Sequence, residues 1–201
     1  MDNKYNIKTN VTVQMNIKNI LYRIRRNMKN TRKIETKKYE HIVHPFLPLY
    51  NEESEILILG SLPSVKSREQ MFFYGHPQNR FWKLISALLN EEVPQTIDEK
   101  KSLLLRNHIA LWDTIYSCDI IGSSDSSIKN VVPTDLKPIL EHSHVKKVFC
   151  NGATSAKYYK KYQEKELGIE AETLPSTSPA NAAYSVDRLV EIWSDRLGAY
   201  L

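Results

Sequence analysis

The residues of this chain best suited to chemistry lie in two short segments that begin about twenty residues apart. An apolar run, Glu55-Ile-Leu-Ile-Leu59, ends in Gly60-Ser-Leu-Pro-Ser64, and a loop then leads to Tyr74-Gly-His-Pro-Gln-Asn-Arg-Phe-Trp82. A β-rich run stopped by Gly, Ser and Pro is a buried strand that delivers a tight loop to the carboxyl edge of a sheet, where open α/β proteins hold their ligands. Backbone N–H groups of that loop can meet an anion or a base edge. Phe81, Trp82, Leu84, Ile85, Leu88 and Leu89 recur at helical spacing, which puts Asn79 at or just inside a helix N-terminus. Its amide offers a carbonyl acceptor and two N–H donors, and the same position also suits an ordinary N-cap.

The elements that must position these groups alternate from Tyr39 onward. Residues 55–60, 108–112, 145–150 and 169–174 read as strands, and 79–90, 98–106, 134–141, 153–165 and 184–197 as helices. The pattern predicts an α/β fold, a three-layer α/β/α sandwich around a largely parallel four-stranded sheet with right-handed crossovers. Gly122–Ser127 is a polar loop, and Val131-Val-Pro-Thr134 a helix entry that Thr134 caps. Asn151-Gly152 reads as a β–α turn, although its N–H groups could bind phosphate.

With 201 residues and 41% hydrophobic content the chain is long enough for one well-packed domain and too short for two. Cys118 and Cys150 form no paired-thiolate zinc pattern and cannot supply four cluster ligands, so buried thiols in a reducing cytosol are expected. His142 and His144 flank Ser143 with no third ligand near, and read as solvated loop residues. No metal and no other cofactor is expected. There is no long uncharged apolar run and no signal-peptide core, so a cytoplasmic protein without a membrane partner is predicted.

Charge divides the chain unevenly. Residues 1–40 carry 11 Lys or Arg against 3 acids, whereas residues 41–201 carry 17 against 20. Ile17, Ile20, Leu21, Ile24 and Met28 share a helical face beside Arg23, Arg25, Arg26 and Lys29, so a basic amphipathic helix between about 14 and 29 could track phosphates. A disordered extension is the alternative. The domain proper is placed at 41–201.

The segments GSLPS and YGHPQNRFWKLI resemble the first motif region of the uracil-DNA glycosylase superfamily, in the branch of mismatch-specific uracil and hypoxanthine-DNA glycosylases. Ala110-Leu-Trp-Asp113, Ser123-Ser-Asp-Ser-Ser127, Phe149-Cys-Asn-Gly-Ala-Thr154 and Leu174-Pro-Ser-Thr-Ser-Pro-Ala-Asn181 follow in family order, from about Ile42 to the C-terminus. The resemblance implies an enzyme that extracts a nucleotide from the stack and breaks its glycosidic bond. Positioned polar groups supply much of such catalysis, so a site poor in charge is no objection.

Many relatives carry a water-positioning Asn or Asp two residues after the motif's Gly, where this chain has Leu62. The resemblance therefore moves toward the hypoxanthine branch, whose functional Asn lies in a later HPxN element, here Asn79, the expected catalytic residue. Tyr74 occupies the place of the ring that stacks on the flipped base, with Phe73 as runner-up. Gly60 and Ser61 are expected at the base, as is Asp113, which stands where many relatives carry a base-reading Asn. As a carboxylate, Asp113 could accept from a ring N–H of hypoxanthine or uracil; otherwise it caps the segment from Thr114. Ser176 replaces the His that many relatives place in the second motif, which disfavours strong uracil activity. Ser64, His76, Ser176, Ser178 and Pro179 are the expected DNA contacts.

The expectation is thus a monofunctional, monomeric DNA glycosylase acting on DNA with a deaminated base, most simply hypoxanthine, in base-excision repair. The alternatives are a mismatch-specific uracil or thymine glycosylase, and a non-catalytic module of the same fold that senses damage.

Overall fold

The computed structural model describes residues 38–201, and the basic helix expected between 14 and 29 lies outside the described residues. The elements run β1 (Glu40–Val43), β2 (Ile56–Gly60), α1 (Val65–Gln70), α2 (Phe81–Leu89), α3 (Ile97–Arg106), β3 (Ile109–Asp113), β4 (Ile115–Ile120), β5 (Lys129–Pro133), α4 (Lys137–Glu141), β6 (Lys147–Asn151), α5 (Ala153–Tyr162), α6 (Glu164–Leu167), β7 (Ala171–Leu174) and α7 (Val186–Leu197).

Both β2 and β3 are buried at every position, which fits strands covered on both faces. With β6 and β7 they form a four-stranded parallel sheet of order β3-β2-β6-β7. Helices flank it in the α/β/α arrangement that the alternation predicts. The apolar stripe of α2, Phe81, Leu84 and Ile85, is fully buried, as are Leu189, Trp193 and Leu197 of α7, and the two helices pack together. The capping box of Thr96 and Glu99 sets the start of α3.

The sequence does not announce the second sheet. Strands β1, β4 and β5 form an antiparallel three-stranded sheet of order β1-β4-β5. β4 mixes apolar and polar residues without clean alternation and pairs with β5 through register shifts, so no period-2 signal survives. The chain passes from one sheet to the other at Asp113–Ile115: Thr114 N–H donates to Gly60 O at 2.9 Å and Ile115 N–H to Ser61 O at 3.1 Å, extending the pairing beyond β3.

Thr134 does not cap a helix. It follows β5, its N–H donates to Thr114 O at 3.1 Å, and α4 begins only at Lys137, whose N–H is taken by Asp135 Oδ1 at 3.0 Å. Nor does Asp113 cap the segment from Thr114, because that segment is a strand and the carboxylate is bonded elsewhere.

Candidate active site

The carboxyl ends of β2, β3 and β6 open on a cleft of about 170 Å³, whose wall includes the loop after β2, the turn after β6 and the 176–178 loop. Ser155, buried in the first turn of α5, fixes the end of β2 by donating to Leu59 O at 2.8 Å and Gly60 O at 2.9 Å. Gly60 has no side chain for a steric reason: a Cβ there would stand 2.1 Å from Asp113 Oδ1. Beyond it Ser64 Oγ caps α1 by accepting from Ser67 N–H, and Ser67 Oγ accepts from Gly75 N–H at 3.0 Å, which folds the loop back on itself.

Tyr74 closes that loop in the left-handed region at φ 52°, an uncommon place for a bulky residue. Its ring stacks on Phe81, centroids 3.9 Å apart and planes 19° apart, so one ring face is already covered by protein. Burial, and then the Asp113 carboxylate, push its phenol well above the usual tyrosine range, while Asn151 opposes them through a hydrogen bond. The phenol therefore keeps its proton. Phe73 also lines the cleft, locked edge-on against Phe46, Phe72 and Trp112.

Asn79 is half-buried on the cleft wall, two residues before α2. Its Oδ1 accepts from Phe81 N–H at 2.9 Å, which assigns the amide and leaves Nδ2 with no hydrogen-bond partner among the described residues. One end of the side chain thus braces the entry to α2, while the other is left free on a residue of the cleft wall. Asp113, 5% exposed, ends β3 in the cleft. Its Oδ2 lies 2.9 Å from Nε2 of His44, a fully buried side chain that no sequence motif singles out.

The second-motif loop is held by Arg80, whose role the sequence pattern does not reveal either. Its guanidinium donates to the carbonyls of Ser176, Thr177, Ser178, Asn181 and Tyr184. Asn151 completes the anchorage, with Nδ2 donating to Thr177 Oγ1 and Oδ1 accepting from Thr177 N–H, each at 2.9 Å. Only the long-range partners reveal these anchoring roles.

Of the expected DNA contacts, Ser64, Ser176 and Ser178 line the cleft. The hydroxyls of Ser176 and Ser178 accept from Ser178 N–H and Ala180 N–H, leaving each O–H free to donate. Pro179 is exposed at the loop crest, outside the cleft lining. His76 is also outside it, and shapes the turn by accepting from Gln78 N–H at Nδ1. Ser61 lines the cleft, and Leu62 does so while packing against the small buried cluster formed by Ile115, Cys118, Ile120 and Tyr158. His142 Nδ1 bonds to Pro138 O, and no metal-holding cluster occurs among the described residues.

A parallel α/β sheet with this carboxyl-edge cleft fits a base-excising enzyme, and the chain belongs to the uracil DNA glycosylase superfamily, whose family model matches residues 47–196. It is similar to the hypoxanthine DNA glycosylase of Methanosarcina acetivorans, 35% identical over 145 residues that cover 71% of this chain and 90% of that protein. The hypoxanthine DNA glycosylase of Methanosarcina barkeri is also 35% identical, over 139 residues covering 68% and 86%. The solution NMR structure of a candidate uracil DNA glycosylase from Methanosarcina acetivorans superposes with a TM-score of 0.68 at 31% identity, covering 79% of this chain and 99% of that one.

Proposed function

We propose that this chain is a monofunctional DNA glycosylase that removes hypoxanthine from deoxyinosine, cleaving the C1′–N9 bond by addition of water and leaving an abasic site. The observation that carries this reading is the makeup of the cleft. An apolar Leu62 stands where many superfamily members orient water, while the Asn79 amide and the Asp113 carboxylate both face the ligand space. The two relatives named hypoxanthine DNA glycosylase support the choice of base.

In this reading Asn79 is the catalytic residue. Its Nδ2 donates to the sugar–base region or to the attacking water, held in place because Phe81 N–H fixes the other end of the amide. The exposed part of Tyr74, with Phe73 behind it, forms the apolar wall against which the base rests. Asp113 and the β2 loop at Gly60 and Ser61 read the base edge, and the O–H groups of Ser64, Ser176 and Ser178 donate to backbone phosphates. Among the described residues that line the cleft there is no amine to form a Schiff base, which fits a monofunctional enzyme.

The test is single-turnover incubation with oligonucleotides containing deoxyinosine, deoxyuridine or a G·T mismatch, read by alkali cleavage. Cleavage at deoxyinosine in excess of the other two is expected. Faster cleavage at uracil would give the mismatch-uracil reading, and binding without cleavage the damage-sensing one.

A further inference from the structure

The His44–Asp113 pair bears on base choice through the position of its protons. His44 Nδ1 lies 3.0 Å from the carbonyl oxygen of Phe46, which can only accept, so Nδ1 bears a hydrogen. Its Nε2 lies 2.9 Å from Asp113 Oδ2, a contact that requires one proton between the two atoms. Whichever of the two holds that proton, it is confined to the Oδ2 side of the carboxyl group. Oδ1 is left as an acceptor only. It has no hydrogen-bond partner among the described residues, and it lies over Gly60 in the cleft wall.

The His44 ring is held in place by Trp112, tilted at 40° with centroids 4.1 Å apart, and by Phe46, edge-on with centroids 4.5 Å apart.

We propose that His44 is a positioning residue that fixes Asp113 Oδ1 as an acceptor, and so selects bases with a ring N–H over the undamaged parents of deamination. Deamination turns the acceptor N1 of adenine into the N1–H donor of hypoxanthine, and the acceptor N3 of cytosine into the N3–H donor of uracil. An acceptor-only Oδ1 pairs with the products and opposes a lone pair on the parents. A site built around one such hydrogen bond can reject the mismatched analogue by up to about 10⁴-fold or more. Guanine and thymine also carry a ring N–H, so this atom separates deaminated bases from adenine and cytosine only. The inference rests on the base-excision reading and names the device by which that site discriminates.

The test uses the full chain and duplexes carrying an uncleavable 2′-fluoroarabino analogue of deoxyinosine or of deoxyadenosine, alongside single-turnover cleavage of deoxyinosine. Wild type is expected to bind the inosine analogue in preference to the adenosine one. His44→Phe, which keeps an aromatic ring but loses both ring nitrogens, should reduce that preference by roughly tenfold or more. His44→Gln, whose amide can still donate to Oδ2, should retain most of it. His44→Phe combined with Asp113→Asn should be no less selective than Asp113→Asn alone, because the two act as a unit. A His44→Phe protein with undiminished preference, or a wild type that binds both analogues equally, overturns the proposal. If His44→Phe does not fold, ¹⁵N spectra of the wild-type imidazole together with the ¹³C shift of the Asp113 carboxyl decide: one proton shared between Nε2 and Oδ2 supports it, and a bare Nε2 facing an ionised carboxylate overturns it. If wild type cleaves no deaminated base, the base-excision reading fails, while the binding preference and the imidazole spectrum still decide the role of His44.

Discussion

Arg80 meets Thr177 twice at a single atom: the backbone N–H of Arg80, at 3.1 Å, and its Nε, at 3.2 Å, both donate to the Thr177 carbonyl oxygen. The residue that follows Asn79 in sequence thereby locks the second-motif loop to the start of α2. The two motifs of the family form one rigid wall, with Asn79 and Ser176 on the same clamp. Arg80→Ala should orphan several half-buried carbonyls, each costing about 1–3 kcal/mol if left without water. Amide exchange over Thr177–Asn181 should accelerate, and Arg80→Lys should not restore protection, because an ammonium lacks the planar fork that reaches separate carbonyls.

Asn79 has two functions that substitution can separate. Asn79→Ala should lower single-turnover cleavage by roughly 10²-fold, the scale of losing a preorganised polar donor, and should also lower stability by about 1 kcal/mol through removal of the cap. Asn79→Asp keeps an acceptor for Phe81 N–H but loses the Nδ2 donors. It should melt close to wild type and still cleave slowly. An Asp variant with near-normal rate would reduce Asn79 to a cap.

Deoxyinosine should be cut faster than deoxyuridine in matched duplexes. Ser176→His is expected to raise uracil cleavage by placing an imidazole on the clamped loop. Leu62→Asn should do so at a cost in stability, because Leu62 packs against the small buried cluster formed by Ile115, Cys118, Ile120 and Tyr158. Parallel time courses on the two substrates, with melting curves for each variant, check both statements.

The two thiols should be inert in the native protein. Burial pushes Cys150 up to about 12 and Cys118 up to about 11, so neither is an effective thiolate at pH 8. Iodoacetamide labelling followed by mass spectrometry should find both unmodified until the protein is unfolded.

Residues 1–40 carry 11 Lys or Arg against 3 acids, and their removal should weaken non-specific DNA binding. The slope of log affinity against log salt should flatten by about 0.9 for each duplex phosphate that the truncated protein no longer neutralises. Truncation after residue 37 rather than 40 leaves β1 whole. An unchanged slope would show that this segment does not engage the phosphate backbone.

The parallel sheet was legible because Ile56–Leu59 and Val148–Phe149 are apolar runs punctuated by Gly, and the helices because Phe81–Leu89 and Val186–Leu197 repeat at helical spacing. The motif residues Asn79, Tyr74 and Asp113 were legible through a resemblance, and the cleft gathers them. What could not be read was non-local. His44 acquires its meaning from a carboxylate 69 residues away, and Arg80 from carbonyls 96 to 104 residues away. A local window contains neither partner. The second sheet is not legible for a related reason, since β1 and β5 are short strands with no buried residue, paired on β4.

The close approach of Gly60 to Asp113 also constrains the order in which this site can change. With a Cβ at position 60 only 2.1 Å from Asp113 Oδ1, a side chain at 60 would force the Asp113 carboxyl, or an isosteric Asn amide, out of the place it takes beside His44. Position 113 can be explored while 60 remains glycine, whereas position 60 opens only after 113 has become smaller than Asp. Libraries randomised at both sites should therefore yield active members in which glycine at 60 persists through changes of base preference, and folded members with a side chain at 60 only alongside Gly, Ala or Ser at 113. The glycine acts as a one-way gate on how this pocket can diversify.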